Sequence, residues 1–313
     1  MRVAAIDLGT NSTRLLVADI EDGRPDEVVR RLTITRLGEG VDGRRRLLPL
    51  PITRVRNCLV DYRRELEGLG AERTLAVATS AVRDAENGEA FLGEIEWSFG
   101  FATRLLDGAE EAAMMLRGVT AGRPALEDTL VVDIGGGSTE LVLATDGDIV
   151  ASSSVDVGCV RVTERFLRSD PPSRPELAAA AGYARSLLPP FRARDAIGVA
   201  GTVTTLATLD LGLAEYDPER THGHRIPRDS VERELERLAQ MTLEERVRVP
   251  GMEPGRAPVI VAGLVVLREV MDSYGITEIE VSERDILHGA ALEAAELPEP
   301  EEGAAPPGAY TCC

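Results

Sequence analysis

The chain has 313 residues, more than one core usually holds and enough for two domains of about 150 residues each. Its 53 acidic and 35 basic residues give a net charge of −18. This charge argues against sequence-independent binding to nucleic acid or to anionic membranes. All 35 basic residues are arginine, which excludes a Walker A lysine, a Schiff-base lysine and a lysine general base.

The cysteines and the N-terminus indicate the compartment. Cys58, Cys159, Cys312 and Cys313 form no C-x-x-C pair and have no spacing typical of a zinc site or a disulfide framework. The N-terminus enters an apolar strand without the features of a secretory signal, and the longest apolar run, residues 257–267, is too short to span a bilayer. We therefore expect a reduced, cytoplasmic protein.

Strand-like and helical segments alternate along most of the chain, which is typical of an α/β protein. The predicted strands, in chain order, are 3–7, 13–20, 26–35, 74–79, 101–106, 129–133, 139–144, 148–157, 195–200 and 276–282. The predicted helices are 52–69, 87–98, 108–119, 160–168, 174–190, 202–212, 229–240, 256–274 and 285–296. Residues 298–313 are rich in Pro, Gly, Ala and Glu without periodicity, so we expect a disordered tail there.

Two segments of the chain match each other. DLGTNSTRLLVA (7–18) and DIGGGSTELVLA (133–144) share six of twelve positions, and each begins at the end of an apolar strand. The match indicates an internal duplication in which a strand, a glycine-containing turn and a second strand occur twice.

The repeated turn indicates phosphate binding. A glycine-rich turn presents several main-chain N–H groups to one point, and a Cβ would hold a phosphate away from them. The predicted phosphate-binding residues are Gly9, Thr10, Asn11 and Ser12 in the first turn, and Gly135, Gly136, Gly137, Ser138 and Thr139 in the second. The alternative is an ordinary type I′ or II′ hairpin whose glycines only supply positive φ. Three consecutive glycines exceed what such a hairpin needs.

Carboxylates border both turns. They cannot bind an anion directly, but they can hold Mg²⁺, which brings substrate phosphates with it. The predicted metal ligands are Asp7, Asp133 and Glu140, for Mg²⁺ or alternatively Mn²⁺. His222 and His224 lie in a charged loop with no third ligand in view, so we interpret that loop as solvated.

A third glycine turn lies in VAGTVTTLATL (199–209), where a strand leads into a helix. Gly201 and Thr202 are predicted to bind phosphate at the helix N-terminus. The alternative is that Thr202 is an ordinary N-cap residue.

The order of seven segments resembles the exopolyphosphatase/guanosine pentaphosphate phosphohydrolase family, Ppx/GppA. The segments are AAIDLGTNSTRLLVADI, VATSAVRDAENGEAFL, LLDGAEEAAMMLRGV, LVVDIGGGSTELVLA, DVGCVRVTERFL, GVAGTVTTLATL and VPGMEPGRAPVIVAGLVVL. The resemblance covers residues 1–296 and fits the short, two-domain members. It implies the α/β fold of actin, sugar kinases and heat-shock chaperones, with two duplicated ribonuclease H-like lobes around a central cleft. We expect lobes at 1–121, with helix 285–296 packing back on it, and at 122–284.

The segment LLDGAEEAAMML contains the candidate general base. With Asp107 as N-cap, Glu110 falls at N3 and completes a capping arrangement, which leaves Glu111 about 100° away around the helix. From the residues alone, Glu111 could simply be an acidic residue favoured by the helix dipole. The resemblance implies that Glu111 is the catalytic carboxylate that activates water. Ala113 stands where many relatives have arginine.

Arginines must supply the positive charge, because a guanidinium can bridge two phosphate oxygens. Arg14 follows the first turn, and the resemblance places an arginine at the position of Arg83; both are predicted to contact phosphate. Arg161 and Arg256 also match family positions. The run 44–46 could lead a polyanion inward or be a solvated loop, which is the commoner outcome.

The sequence thus predicts a Mg²⁺-dependent exopolyphosphatase that hydrolyses terminal phosphate from inorganic polyphosphate. The alternatives are the same chemistry on guanosine pentaphosphate, giving the tetraphosphate, and a non-catalytic alarmone sensor. A kinase of the same superfold is a weaker rival. The expected partners are polyphosphate or guanosine penta- or tetraphosphate, without nucleic acid or membrane, and a homodimer is left open.

Overall fold

The computed structural model describes residues 1–298. The chain divides into two compact units: unit 1 is Met1–Arg123 with the chain from Arg284 onward, and unit 2 is Pro124–Glu283. The lobes expected at 1–121 with 285–296 and at 122–284 remain a prediction, because compactness alone does not show which segments fold independently. Apart from Pro298, the expected tail lies outside the described residues.

The strands and helices of residues 1–298 are as follows. The strands are β1 (Arg2–Leu8), β2 (Thr13–Glu21), β3 (Arg24–Thr33), β4 (Arg73–Ala78), β5 (Ala102–Leu105), β6 (Thr129–Ile134), β7 (Thr139–Thr145), β8 (Asp148–Val155), β9 (Asp195–Val199), β10 (Arg225–Pro227) and β11 (Glu278–Val281). The helices are α1 (Val41–Arg44), α2 (Pro49–Leu69), α3 (Ser80–Arg83), α4 (Gly88–Phe99), α5 (Gly108–Thr120), α6 (Cys159–Phe166), α7 (Arg174–Leu187), α8 (Ala200–Asp210), α9 (Pro218–Thr221), α10 (Arg228–Ala239), α11 (Leu243–Val247), α12 (Ile260–Tyr274) and α13 (Ile286–Glu296). Within the described residues, every helix is too short or too polar to cross a bilayer.

The two sheets repeat one strand order. Unit 1 has the order β3-β2-β1-β4-β5 and unit 2 has β10-β11-β9-β6-β7-β8. In each sheet, three antiparallel strands joined by hairpins are followed by strands parallel to the first. The fold expected from the resemblance, α/β with duplicated ribonuclease H-like sheets, is confirmed. Unit 2 adds the antiparallel edge strand β10.

The first strand of unit 1 is buried on both faces. Ala4, Ile6 and Leu8 face a core shared with α2 and α4, whereas Val3 and Ala5 face a core shared with α5 and α13. Burial on both faces explains why β1 is a nearly continuous apolar run rather than an alternating one. Its polar end at Asp7 is therefore held on a rigid support.

Helices α5 and α13 pack with their backbones in contact. A Cβ on Gly118 would lie 1.9 Å from the carbonyl oxygen of Asp285, and a Cβ on Gly289 would lie 1.9 Å from that of Met114. Only glycine permits this approach, which fixes the start of α13 against the sheet of unit 1.

Short elements account for most differences from the predicted secondary structure. The sequence analysis missed β10 and the helices α1, α3, α9 and α11, each of five residues or fewer. Helix α12 begins at Ile260 rather than at residue 256, because residues 253–259 form turns. Elements this short carry too little hydrophobic periodicity to be seen in a sequence.

Candidate active site

Two hairpin turns occupy equivalent places in the two units. The first turn, residues 9–12, joins β1 to β2, and the second turn, residues 135–138, joins β6 to β7. In each, the N–H of the first residue donates to the carbonyl oxygen of the last, at 3.1 Å in the first turn and 3.0 Å in the second. No glycine of either turn has a positive φ. The alternative of a type I′ or II′ hairpin is therefore wrong.

The carbonyl groups of the first turn are bound by the segment that follows β3. The N–H of Gly38 donates to Thr10 O (2.8 Å), and the N–H of Arg36 donates to Asn11 O (2.9 Å). A Cβ on Gly38 would lie 2.2 Å from the Thr10 methyl group, so only glycine allows this approach. The Thr10 hydroxyl also pairs with the Ser80 hydroxyl at 2.9 Å.

The carbonyl groups of the second turn are bound by the start of α6. The first three N–H groups of α6 donate to the carbonyl oxygens of Gly135 and Gly136 at 2.9 to 3.1 Å, and Arg161 Nε donates to Gly137 O (2.7 Å). A Cβ on Gly158 would lie 2.5 Å from the carbonyl carbon and oxygen of Gly136. Arg161, which the sequence matched to a family position, thus supports the turn from behind.

Most amide N–H groups of the two turns make no hydrogen bond within the described residues. The three that follow the leading glycine, residues 10–12 and residues 136–138, donate to no acceptor within the described residues. The side-chain Nδ2 of Asn11 is also buried without a partner. Because consecutive C=O and N–H groups of an extended turn point in opposite directions, binding the carbonyls from one side directs the amides to the other. Each turn is therefore an amide array suited to anion oxygens.

Leaving such donors unpaired is unfavourable. A buried donor without an acceptor costs about 1–3 kcal/mol, so native structures rarely keep one without a ligand. Asn11 is only 6% exposed, which makes its amide the clearest unsatisfied group at the first turn.

The carboxylate beside the first turn is paired with an arginine. Asp7 lies directly opposite Arg14 on β2, and its Oδ2 accepts from Arg14 Nε (2.9 Å) and contacts Nη2 (2.7 Å). Arg14 also pairs with the buried Asp285 at the N-cap of α13. Arg14 thus neutralises both Asp7 and Asp285. The phosphate contact of Arg14 and the metal-binding role of Asp7 stay predictions.

The corresponding position beside the second turn carries two acids. Asp133 on β6 lies directly opposite Glu140 on β7, and directly opposed residues project on the same face of a sheet. Both are buried, and Glu140 Oε1 accepts from the Ser154 hydroxyl at 2.8 Å. Two carboxylates together with substrate oxygens are the donor set that Mg²⁺ commonly uses. No cluster of three or more His, Cys, Asp or Glu side chains suited to a metal occurs within residues 1–298.

The capping arrangement predicted at the start of α5 is confirmed. Asp107 accepts from the N–H groups of Ala109 and Glu110, and Glu110 Oε2 accepts from the Asp107 N–H (2.9 Å). The Asp107 N–H, followed by Arg104, holds the pKa of Glu110 below its ordinary value. Glu110 is thus committed to its own helix.

Glu111 is the buried member of the acidic pair. It is 7% exposed, and its Oε2 accepts from Arg83 Nη1 (3.1 Å). The same Nη1 donates to Leu106 O (2.7 Å), which ties the guanidinium to the end of β5. The structure therefore brings together the candidate base and one of the two predicted phosphate-binding arginines in unit 1.

Strand register explains why these residues of unit 1 lie at one edge. Strand β4 runs parallel to β1, with Val77 beside Asp7, and β5 runs parallel to β4, with Leu105 beside Ala78. The first turn, α3 and the start of α5 each follow the carboxyl end of one of these strands. Ligands of open α/β sheets bind at such edges.

The third turn lies beside the second in unit 2. Val199 on β9 is the register neighbour of Asp133, so Gly201 and Thr202, in the first turn of α8, lie at the same edge. The N-cap is Val199, which rules out the alternative role of Thr202 as N-cap. A Cβ on Gly201 would lie 2.1 Å from Cζ of Arg256, so the guanidinium of Arg256 lies directly on this turn.

The remaining residues considered from the sequence are two loop histidines and two internal cysteines. His224 Nε2 contacts Asp210 (2.8 Å), and His222 Nδ1 accepts from the Glu283 N–H (3.1 Å). Burial raises the pKa of the Cys159 thiol to about 11, so it is not a reactive thiolate. Cys58 is also buried and free.

Sequence reasoning missed several supporting residues: Gly38, Gly158, Ser80, Arg36 and Asp285. Gly38 and Gly158 stand in glycine-containing loops, and nothing in the sequence shows which backbone they approach. Asp285 carries the signal of an N-cap before α13, but its contact with Arg14 joins residues that are far apart in the chain.

Comparisons with known proteins agree with this geometry. The sequence model of the Ppx/GppA phosphatase family matches residues 16–297. The chain is 42% identical to "Exopolyphosphatase 2" of Mycobacterium tuberculosis, an alignment that covers 94% of this chain and 98% of that protein. It also superposes on the crystal structure of an exopolyphosphatase-like protein with a TM-score of 0.87 and 33% identity, covering 95% of this chain and 99% of the other.

A member of the same family from Aquifex aeolicus gives a TM-score of 0.78 at 30% identity, and the match covers 95% of this chain and 98% of that one. The similarity extends over nearly the full length of each relative. The chain therefore belongs to the Ppx/GppA phosphatase family.

Proposed function

We propose that this protein is an exopolyphosphatase that hydrolyses terminal phosphate from inorganic polyphosphate. The observation that carries the proposal is the pair of amide arrays, at residues 10–12 and 136–138, whose carbonyl groups are bound from behind and whose N–H groups have no acceptor within residues 1–298. Each array presents several N–H donors to one point, as the anionic oxygens of a phosphoryl group require. The name of the mycobacterial relative supports the same substrate.

The amide and hydroxyl groups of the two turns bind the phosphate oxygens of the substrate. In the first turn the N–H groups of Thr10, Asn11 and Ser12, together with the orphaned Asn11 Nδ2, donate to phosphate oxygens. In the second turn the N–H groups of Gly136, Gly137 and Ser138 donate to phosphate oxygens. Ser138 and Thr139 lie at the end of this turn. In a site from which water is displaced, such fixed donors stabilise charge that develops on the transferred phosphoryl group.

A divalent metal fits the acidic pair of unit 2. Asp133 and Glu140 would hold Mg²⁺, with Mn²⁺ as an alternative, and the bound metal would supply positive charge to non-bridging phosphate oxygens. Ser154 keeps the Glu140 carboxylate oriented by its hydrogen bond.

Glu111 acts as the general base. Its carboxylate accepts a proton from a water molecule while the water oxygen forms a bond to the terminal phosphorus and the bridging P–O bond breaks. The products are orthophosphate and a polyphosphate shortened by one unit. Arg83 fixes the direction of the carboxylate through its contact at 3.1 Å and donates to an oxygen of the terminal phosphate.

The third turn and Arg256 add a further anion contact in unit 2. The first N–H groups of α8, at Gly201 and Thr202, have no acceptor within their own helix, and the guanidinium of Arg256 lies on the same glycine. Together they provide positive charge for a phosphate group of the substrate.

The deciding experiment is phosphate release by the purified full chain from inorganic polyphosphate, inorganic triphosphate and guanosine pentaphosphate, each with and without Mg²⁺. We expect release from polyphosphate that chelation with EDTA abolishes and Mg²⁺ restores. If phosphate is released only from guanosine pentaphosphate, the assigned substrate is wrong, but the assigned reaction, hydrolysis of a terminal phosphate, is correct. If the protein binds one of the three compounds tightly but releases phosphate from none of them, the proposal that it is an enzyme is refuted, and the alternative of a non-catalytic sensor is supported.

A further inference from the structure

The segment between β3 and α2 carries a cluster of arginines beside the first turn. Arg36, Arg44, Arg45 and Arg46, here called the arginine segment, stand against two acidic residues, Glu39 and Asp42, in residues 36–46. All four arginines are exposed. The segment is therefore locally cationic in a protein whose net charge is −18.

The segment is fixed to the phosphate-binding edge of unit 1. Strand β3 ends at Thr33, directly opposite Thr13 at the start of β2, so the chain leaves the sheet beside the first turn. The N–H groups of Arg36 and Gly38 then bind the carbonyls of that turn. The hydrogen bonds that bind the carbonyl groups of the first turn thus also fix the backbone at Arg36, from which the chain continues to the other three arginines.

Three of the four guanidinium groups of this segment have no partner in the part of the chain that the structure describes, and the fourth makes a long ion pair. Those of Arg36, Arg44 and Arg46 have no hydrogen-bond or ion-pair partner within residues 1–298, and Arg45 is 3.9 Å from Asp84. Most arginines of unit 1 pair with a carboxylate, as Arg31 does with Glu65 at 2.6 Å. Glu39, the acid nearest in sequence to Arg36, is paired with Arg54 at 2.7 Å. Positive charge is therefore left for an external anion.

The backbone of the segment is also unusual. Arg36 (φ 49°) and Arg45 (φ 53°) both adopt the left-handed conformation, which side chains of this size rarely occupy. Of the other non-glycine residues with positive φ in residues 1–298, three are aspartates, a residue type that tolerates the conformation, and one is Ala200 at the third turn. Strain held in this way tends to gather at ligand-binding segments.

We propose that Arg36, Arg44 and Arg46 form a distal subsite that binds phosphate groups of polyphosphate beyond those held by the first turn. The inference rests on the proposed exopolyphosphatase function and adds a chain-length preference to it. A long chain reaches the turn and the arginine segment together, whereas triphosphate fills the turn alone. Each phosphate bound at the segment also releases counterions, so affinity for long chains should depend steeply on salt.

The test compares kcat/KM for long-chain polyphosphate with kcat/KM for inorganic triphosphate. In Arg44→Gln/Arg46→Gln, the ratio of the two values should fall by about fivefold to tenfold, as expected from losing two exposed ionic contacts. The dependence of KM for the long chain on salt concentration should become shallower. Arg36→Gln should lower the ratio in the same direction.

Arg24→Gln is the matched control. Arg24 is also exposed and without an ion-pair partner in the described residues, but it begins β3, at the opposite end of that strand from the first turn. In Arg24→Gln, the ratio of kcat/KM for long-chain polyphosphate to kcat/KM for triphosphate should equal that of the unmodified protein. If the double variant loses activity equally on both substrates, or behaves like Arg24→Gln, the distal subsite is refuted although wild-type hydrolysis of polyphosphate stands. Because Arg44 and Arg46 are exposed, an unchanged melting temperature will show that the double variant is folded.

Discussion

The first and second turns show how a duplicated motif can keep its backbone and change its charge. Both are four-residue turns closed by the same hydrogen bond, and both have their carbonyl groups bound by a neighbouring segment. They differ in the residue opposite the strand-end aspartate. Asp7 faces Arg14, whereas Asp133 faces Glu140.

This difference separates two tasks. In unit 1 the aspartate is neutralised by arginine, so the first turn presents only donors to an anion. In unit 2 two carboxylates share one face of the sheet, and such a pair is stabilised by a divalent cation. We propose that this one cross-strand position decides whether a turn binds phosphate alone or phosphate together with a metal.

The largest expected effect concerns the proposed general base, Glu111 of unit 1. Glu111→Gln keeps the shape of the side chain but cannot accept a proton, so kcat for phosphate release should fall by at least about 100-fold. Glu110→Gln is the control. It should lower the melting temperature slightly by weakening the cap of α5, with little loss of kcat. Near-normal turnover of Glu111→Gln would remove Glu111 from the mechanism.

The second prediction tests the acidic pair of unit 2. Glu140→Gln removes one of the two proposed metal ligands, so the Mg²⁺ concentration for half-maximal activity should rise by about 10- to 100-fold. Ser154→Ala removes only the hydroxyl that orients Glu140, so it should raise the Mg²⁺ concentration for half-maximal activity by a smaller factor. An unchanged Mg²⁺ requirement in Glu140→Gln would contradict the assignment of the metal to unit 2.

The third prediction tests the amide array of the second turn. Gly136→Val places a side chain where phosphate must approach the N–H groups, so KM for polyphosphate should rise by about tenfold, a cost comparable to losing one or two hydrogen bonds. The melting temperature should change less than in Gly158→Ala, where the new Cβ would meet the carbonyl of Gly136 at 2.5 Å. Unchanged binding by Gly136→Val would mean that the turn has no phosphate-binding role.

The smallest effect concerns the ion pairs behind the first turn and is seen in stability rather than turnover. His288 is buried, and although burial favours the neutral ring, hydrogen bonds with Asp285 and Glu27 raise its pKa above the ordinary 6.5. A raised pKa stabilises the folded state below pH 6.5, and this stabilisation is lost as the pH rises through the raised value. The difference in melting temperature between the wild type and His288→Gln should therefore be largest in acid. A difference that does not vary with pH would contradict this.

Much of the site could be read from the sequence because its parts are local. The repeated Asp-x-Gly-x-x-Ser-Thr pattern predicted both turns, and the Asp107 and Glu110 spacing correctly assigned Glu110 to its own helix and left Glu111 over. These predictions depend on residues within about one turn of each other, where backbone geometry is nearly fixed by residue type.

What the sequence did not predict involves mainly residues that are distant in the chain. Arg14 was predicted to contact phosphate because it follows a phosphate turn, and its ion pair with Asp285 of α13 could not be read from the sequence. The start of α8 is a local exception, because the N-cap is Val199, three residues before Thr202.

The sequence alone determined the duplicated turns, the α/β alternation, the absence of lysine chemistry and the family resemblance, because each is a property of short segments or of composition. Only the tertiary structure decided which strand-end carboxylate faces an arginine and which faces another carboxylate, and which arginines beside the first turn lack an ion-pair partner within residues 1–298. The physical reason is that a charged group's role depends on its neighbours in space, and those neighbours are brought together by strand register and helix packing.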